Sequence, residues 1–145
     1  MKIAFTLLAL AAASVASAVD IPTSDAQTRV KSLQQELIAT WKEAVDSAEA
    51  LRKNARASVA EVFEVQRQLL DATLDAAETK EERIGILQSI VELQRKWEAW
   101  AEGARGSARV SPVEALRAKA ARIKAEIALE KERSVGAKLM VRPGE

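Results

Sequence analysis

Ala55-Arg56-Ala57-Ser58-Val59-Ala60-Glu61 and Ala108-Arg109-Val110-Ser111-Pro112-Val113-Glu114 carry the same pattern, Ala-Arg-x-Ser-x-x-Glu. Each copy opens a stretch of apolar residues at helical spacing. A second echo precedes them, because Glu36-Leu37-x-x-x-Trp41 is matched by Glu92-Leu93-x-x-x-Trp97. Two echoes in the same order describe one helical unit written twice.

Working outward, four helix starts divide the chain. Ser24-x-x-Gln27, Ser58-x-x-Glu61, Thr79-x-x-Glu82 and Ser111-x-x-Glu114 all have the capping-box form. In that motif the hydroxyl accepts from the amide three residues on, and the side chain there reaches back to the cap amide. Pro112 falls at a first helical position, where its missing N–H costs nothing. The resulting helices are expected over 25–54, 59–77, 80–104 and 112–134. No Pro or Gly forces a break at Thr79, so 59–104 reads either as two helices parted by a tight turn or kink, or as one long helix. Glu102-Gly103-Ala104-Arg105-Gly106-Ser107 is expected to end the third helix.

Each helix has an apolar stripe to bury. Helix one offers Val30, Leu33, Leu37, Ala44, Ala48 and Leu51, and helix two Val62, Phe63, Leu69, Leu70 and Leu74. Helix three offers Ile84, Leu87, Ile90, Val91 and Trp97. Helix four carries Val113, Leu116, Ala120, Ile123 and Ile127, spaced three and four like a coiled-coil seam. No run of alternating β-branched residues supports a strand. The fold class is therefore all-α: two tandem helical hairpins, 24–78 and 79–134, forming an antiparallel bundle or an extended coiled coil over 24–134.

The chain has 145 residues. Its first 18 have the layout of a secretory signal peptide: Lys2, an apolar run from Ile3 to Val15, then Ala16-Ser17-Ala18 as a small-residue cleavage site. That run is shorter than the roughly 20 residues a spanning helix needs. A mature chain beginning at Val19 is expected, with 19–23 as an extension and 135–145 as a flexible tail. The expected location is the periplasm, with association to the outer membrane left open.

Beyond Lys2 there are 21 basic and 21 acidic residues, interspersed as in Lys80-Glu81-Glu82-Arg83. No basic stripe is present to bind phosphates, which argues against a nucleic-acid partner. There is no Cys, His or Tyr. Disulfides are excluded, and nucleophile–base pairs are hard to assemble, since Ser58 and Ser111 lack a base. Carboxylate pairs such as Asp71 and Asp75 are common on solvated helix faces, so no metal, cofactor or enzymatic activity is expected.

The Ser-x-x-Glu turns with their following helices resemble the periplasmic hairpins of TolC-family outer-membrane efflux proteins. There the turn reads Gly-x-x-Ser-x-x-Asp-Val-Leu-x-Ala. Ser111-Pro112-Val113-Glu114-Ala115-Leu116-Arg117-Ala118 is similar, continuing through Ala125-Glu126-Ile127-Ala128-Leu129, and Ser58-Val59-Ala60-Glu61-Val62-Phe63 is similar more loosely. Ala55 and Ala108 stand where the family carries glycine, and Glu61 and Glu114 where it carries aspartate. Nothing supplies the 9–11-residue strands of a membrane barrel.

The resemblance implies a non-enzymatic exported scaffold or adaptor like the coiled-coil part of that family. It would meet a protein partner at the hairpin tips, Arg56, Ser58 and Glu61 on one and Arg109, Ser111 and Glu114 on the other. Self-association is a further possibility for the helical surfaces. Capping alone accounts for the serines and glutamates at this spacing, but not for the two arginines. Trp41, Trp97 and Trp100 are candidates for packing between hairpins or for docking a partner. A different class of function, a helical chaperone binding client chains in an apolar groove, fits the same composition.

Overall fold

A computed structural model describes residues 23–107 and 109–137. The expected signal segment and the extension up to residue 22 lie outside the described residues, as do 138–145 of the tail. Four helices make up the fold: α1 Thr23–Lys53, α2 Val59–Ala76, α3 Lys80–Gly106 and α4 Pro112–Ala137. No strand occurs among the described residues. At about 1.5 Å per residue, α1 is roughly 46 Å long.

The uncertain junction at Thr79 is a true break. Thr79 is extended (φ −105°, ψ 156°) and its hydroxyl accepts from the Glu82 N–H at 3.2 Å. The Glu82 carboxylate accepts from the N–H groups of Thr79 and Glu78, both at 3.1 Å. Those two backbone donors hold the Glu82 carboxyl below its ordinary range. Local hydrogen bonding ends one helix and starts the next without Gly or Pro.

Three expected boundaries are corrected. Ser24 does not cap α1, because the helix already includes Thr23 and the Ser24 carbonyl accepts from the Thr28 hydroxyl at 2.9 Å. Helix three ends at Gly106 with Ser107 as its cap, inside the Glu102–Ser107 stretch expected to end it but two residues past the expected 104. Glycine weakens a helix by about 1 kcal/mol but does not forbid it, and Ala101 and Ala104 anchor this turn in the core. Helix four continues to Ala137, so 135–137 belong to it rather than to a tail.

The short connections make successive helices antiparallel, and packing follows chain order: α1 on α2, α2 on α3, α3 on α4. Among the described residues the α1 backbone stays more than 8 Å, Cα to Cα, from α3 and α4, so the bundle is open, with α1 and α4 as its edges. The core centres on α3. Leu87, Ile90 and Val91 pack with Ala125 and Leu129 of α4 and with Leu70 and Leu74 of α2. A second cluster joins Ala101, Ala104, Val110, Ala115 and Ala118, flanked by Trp97 and Trp100. Between α3 and α4, Arg83–Glu132 (2.6 Å) and Arg95–Glu126 (2.8 Å) set the register from outside.

The expected buried faces hold for α2 and α3 but not for α1 and α4. On α4 the buried residues are Ala115, Ala118, Ala125 and Leu129, while Val113, Leu116, Ala120, Ile123 and Ile127 are exposed. At 100° per residue the two sets lie on opposite sides of the helix. Alanines let α3 and α4 approach closely, since interaxial distance depends on the side chains at the contact. On α1, Val30, Leu33, Leu37 and Leu51 are exposed, and only Ala48 of the expected stripe is buried. The side turned towards α2 carries Gln34, Ile38, Trp41, Val45 and Ala48.

Candidate hairpin-tip surface

Antiparallel order places the α1–α2 and α3–α4 turns at the same end of the molecule. Both copies of Ala-Arg-x-Ser-x-x-Glu therefore share one end, and the Thr79 junction occupies the other. The Lys80 ammonium, which reaches the Arg133 carbonyl at 3.2 Å, marks that opposite end.

The first tip is a complete Schellman stop. The Arg56 N–H donates to the Leu51 carbonyl at 2.9 Å and the Ala55 N–H to the Arg52 carbonyl at 3.0 Å. This six-to-one and five-to-two pair requires a left-handed residue at the first position beyond the cap. Ala55 supplies it at φ 55°, the one non-glycine residue with positive φ among the described residues. Ser58 then turns the chain back to extended geometry (φ −76°, ψ 159°), and its hydroxyl accepts from the Glu61 N–H at 3.0 Å.

The second tip repeats the logic. The Arg109 N–H donates to the Ala104 carbonyl at 3.0 Å, and the Ser111 hydroxyl accepts from the Glu114 N–H at 3.2 Å. Each bond sits 53 residues from its counterpart in the first tip. Neither Glu61 nor Glu114 bonds back to its cap residue, so these are single-bond caps rather than full boxes. Both arginines are fixed by their backbones, while their guanidinium groups are exposed and form no ion pair among the described residues.

Residues not singled out in the sequence join this end. Arg52 and Lys53 finish α1, where basic side chains complement the helix dipole. Arg105 finishes α3 and pairs with Glu102 at 3.0 Å. With Arg56 and Arg109, the end carries more free basic than acidic groups. Only the hairpin geometry sets Arg52 and Lys53 beside both tips.

The tryptophans divide. Trp97 stacks on Trp100 with ring centroids 4.8 Å apart and planes at 16°, and meets Phe63 of α2 at 5.2 Å. These two tryptophans are half-buried against the alanine cluster, so they cement α2, α3 and the second tip together. Trp41 is half-buried on α1 and pairs with no aromatic ring among the described residues. A groove of about 480 Å³ runs beside the stack, lined by Phe63, Leu93, Trp97, Glu61 and Arg117 among others.

Among the described residues no three acidic side chains gather as a metal site, and no helix is long and apolar enough to cross a membrane. No family model matches this chain, nor does any characterised protein or solved structure.

Proposed function

We propose that this protein is an exported, non-enzymatic helical scaffold or adaptor of the cell envelope, similar to the coiled-coil part of TolC-family proteins, acting through helix–helix contacts. The supporting observation is the gathering of both tips at one end, with Arg56 and Arg109 held by Schellman-type bonds and their charges unspent. Caps explain the serines, yet among the described residues no ion pair uses the guanidinium groups. Exposed arginines on fixed backbone positions, beside Arg52 and Lys53, suit an acidic protein surface. Ala55 in the left-handed region also accords with the resemblance, since the related motif carries glycine there.

The test is co-purification from envelope extracts of the native organism. The wild-type protein should bring down a defined membrane-associated complex, and the Arg56→Glu/Arg109→Glu variant should lose it while keeping its helicity. Isolation of the wild-type protein alone, or unchanged capture by the variant, refutes the proposal.

A second reading, a helical chaperone, draws support from the groove beside Phe63, Leu93 and Trp97. It requires suppression of aggregation of an unrelated client, lost on Phe63→Ala.

A further inference from the structure

Helix α4 has two apolar sides, and only one is covered within the chain. Ala115, Ala118, Ala125 and Leu129 are buried, while Val113, Leu116, Ala120, Ile123 and Ile127 form an outer row, with Leu116 64% and Ile127 50% exposed. The row steps by three and four residues and runs along about 21 Å of helix. Because α4 is an edge of the open bundle, this side points away from α3 and a flat surface can reach it. Four large aliphatic side chains in one row form a larger apolar patch than scattered surface residues do.

The unpaired charges around the row are all positive. Arg117, Lys124 and Lys131 follow one border at seven-residue spacing, and Lys119 stands on the other. All four are exposed and in no ion pair among the described residues. The acids of α4 are occupied within the chain: Glu126 by Arg95 and Arg122, Glu130 by Arg133 and Glu132 by Arg83. Glu114 is half-buried in the first turn. The other edge helix differs, since Glu36 and Glu43 of α1 are exposed near Leu33 and Leu37 and unpaired among the described residues.

We infer that α4 lies along an anionic phospholipid surface, its outer aliphatic row in the headgroup–acyl boundary and Arg117, Lys119, Lys124 and Lys131 towards the lipid phosphates. One apolar face bordered by lysine and arginine is what an interfacial helix requires. Long basic side chains lay their methylene stems along such a row while their charges reach the phosphates. The helix rests on the surface, because no helix among the described residues is long and apolar enough to cross a membrane.

A second copy fits this face less well. Antiparallel pairing of two α4 helices brings the Arg117, Lys124 and Lys131 border onto itself, and parallel pairing sets Lys119 against the partner's Lys124. A different protein helix must bring acids at matching seven-residue spacing, whereas lipid phosphates meet the basic border in any register. The contact uses the side of α4 and leaves the tips free, so it goes beyond the scaffold reading and does not rest on it.

Co-sedimentation of the chain from Val19 onward with phospholipid vesicles tests it. The protein should pellet with vesicles rich in phosphatidylglycerol, bind vesicles of phosphatidylcholine alone about tenfold or more weakly, and be released as salt rises. Ile123→Asp, at an exposed position, should keep the helical circular dichroism and weaken binding roughly tenfold or more. Lys124→Glu/Lys131→Glu should do the same on the anionic vesicles, while Leu33→Asp on α1 should bind like the wild type. The chain has no cysteine, so an environment-sensitive dye on Leu116→Cys reports the α4 face alone, and its emission should shift to the blue on anionic vesicles. No pelleting, equal binding to both lipids, or binding indifferent to Ile123→Asp overturns the inference, as does equal sensitivity to Leu33→Asp. A lipid-free dimer that Ile123→Asp dissociates also overturns it and assigns the α4 face to a second copy. Vesicle binding without capture of an envelope complex refutes only the scaffold reading, and capture by a chain that ignores vesicles refutes only the lipid contact.

Discussion

The Arg56 N–H donates to the Leu51 carbonyl at 2.9 Å, and this bond closes over Ala55 in the left-handed conformation. An L-residue with a Cβ pays about 1 kcal/mol or more for that geometry. Ala55→Gly should therefore stabilise the protein by about 0.5–1 kcal/mol, net of the added freedom of the unfolded chain. Thermal denaturation followed by circular dichroism should show the midpoint rising by a few degrees. A lower midpoint would contradict the left-handed assignment.

The Thr79 box should be the cap most sensitive to truncation. Thr79→Ala removes one side of a reciprocal pair and should cost about 1–2 kcal/mol, whereas Ser58→Ala and Ser111→Ala each remove a single bond and should cost about 0.5–1 kcal/mol. Urea denaturation of the three variants orders them. Equal losses would deny Thr79 its special place.

The two faces of α4 make opposite predictions for residues only two apart. Ala118 is 0% exposed between α3 and α4, and Ala118→Leu should destabilise by about 1–3 kcal/mol through overpacking. Leu116→Ala, on the outer face, should change monomer stability by less than about 0.5 kcal/mol, measured at a concentration where the chain is monomeric. If instead Leu116→Ala is the costly change, the inner and outer faces have been exchanged.

Acid should loosen the α3–α4 contact through Glu126. Its carboxyl lies below the ordinary range, first because Arg95 donates to it and further because Arg122 adds its charge and hydrogen bond. A carboxyl depressed in the folded state stabilises fully above its unfolded value, about 4.3 for glutamate, and loses that contribution as pH falls through the folded value. The melting temperature should hold from neutrality to about pH 5 and fall below that. Glu126→Gln should lower the neutral-pH midpoint and flatten the acid limb. An acid limb unchanged in Glu126→Gln would assign the loss to other carboxylates, Glu82 among them.

Sequence alone determined the local grammar of this protein. Ser58, Thr79 and Ser111 start helices because a cap is formed by residues three positions apart, so the information sits within one turn. The doubled Ala-Arg-x-Ser-x-x-Glu located both hairpin turns for the same reason. The cap expected at Ser24 failed because a hydroxyl at the right spacing also occurs inside a helix.

Tertiary structure alone decided which faces are covered. Helix four carries two apolar stripes, and the larger aliphatic residues mark the wrong one for burial within the chain. Close approach of α3 and α4 rewards Ala115, Ala118 and Ala125 over Leu116 and Ile123, and no periodicity in one helix reveals what its neighbour will admit. The same holds for the tips. Their residues could be read from the chain, but their meeting at one end, with Arg52 and Lys53 beside them, depends on three antiparallel turns in succession.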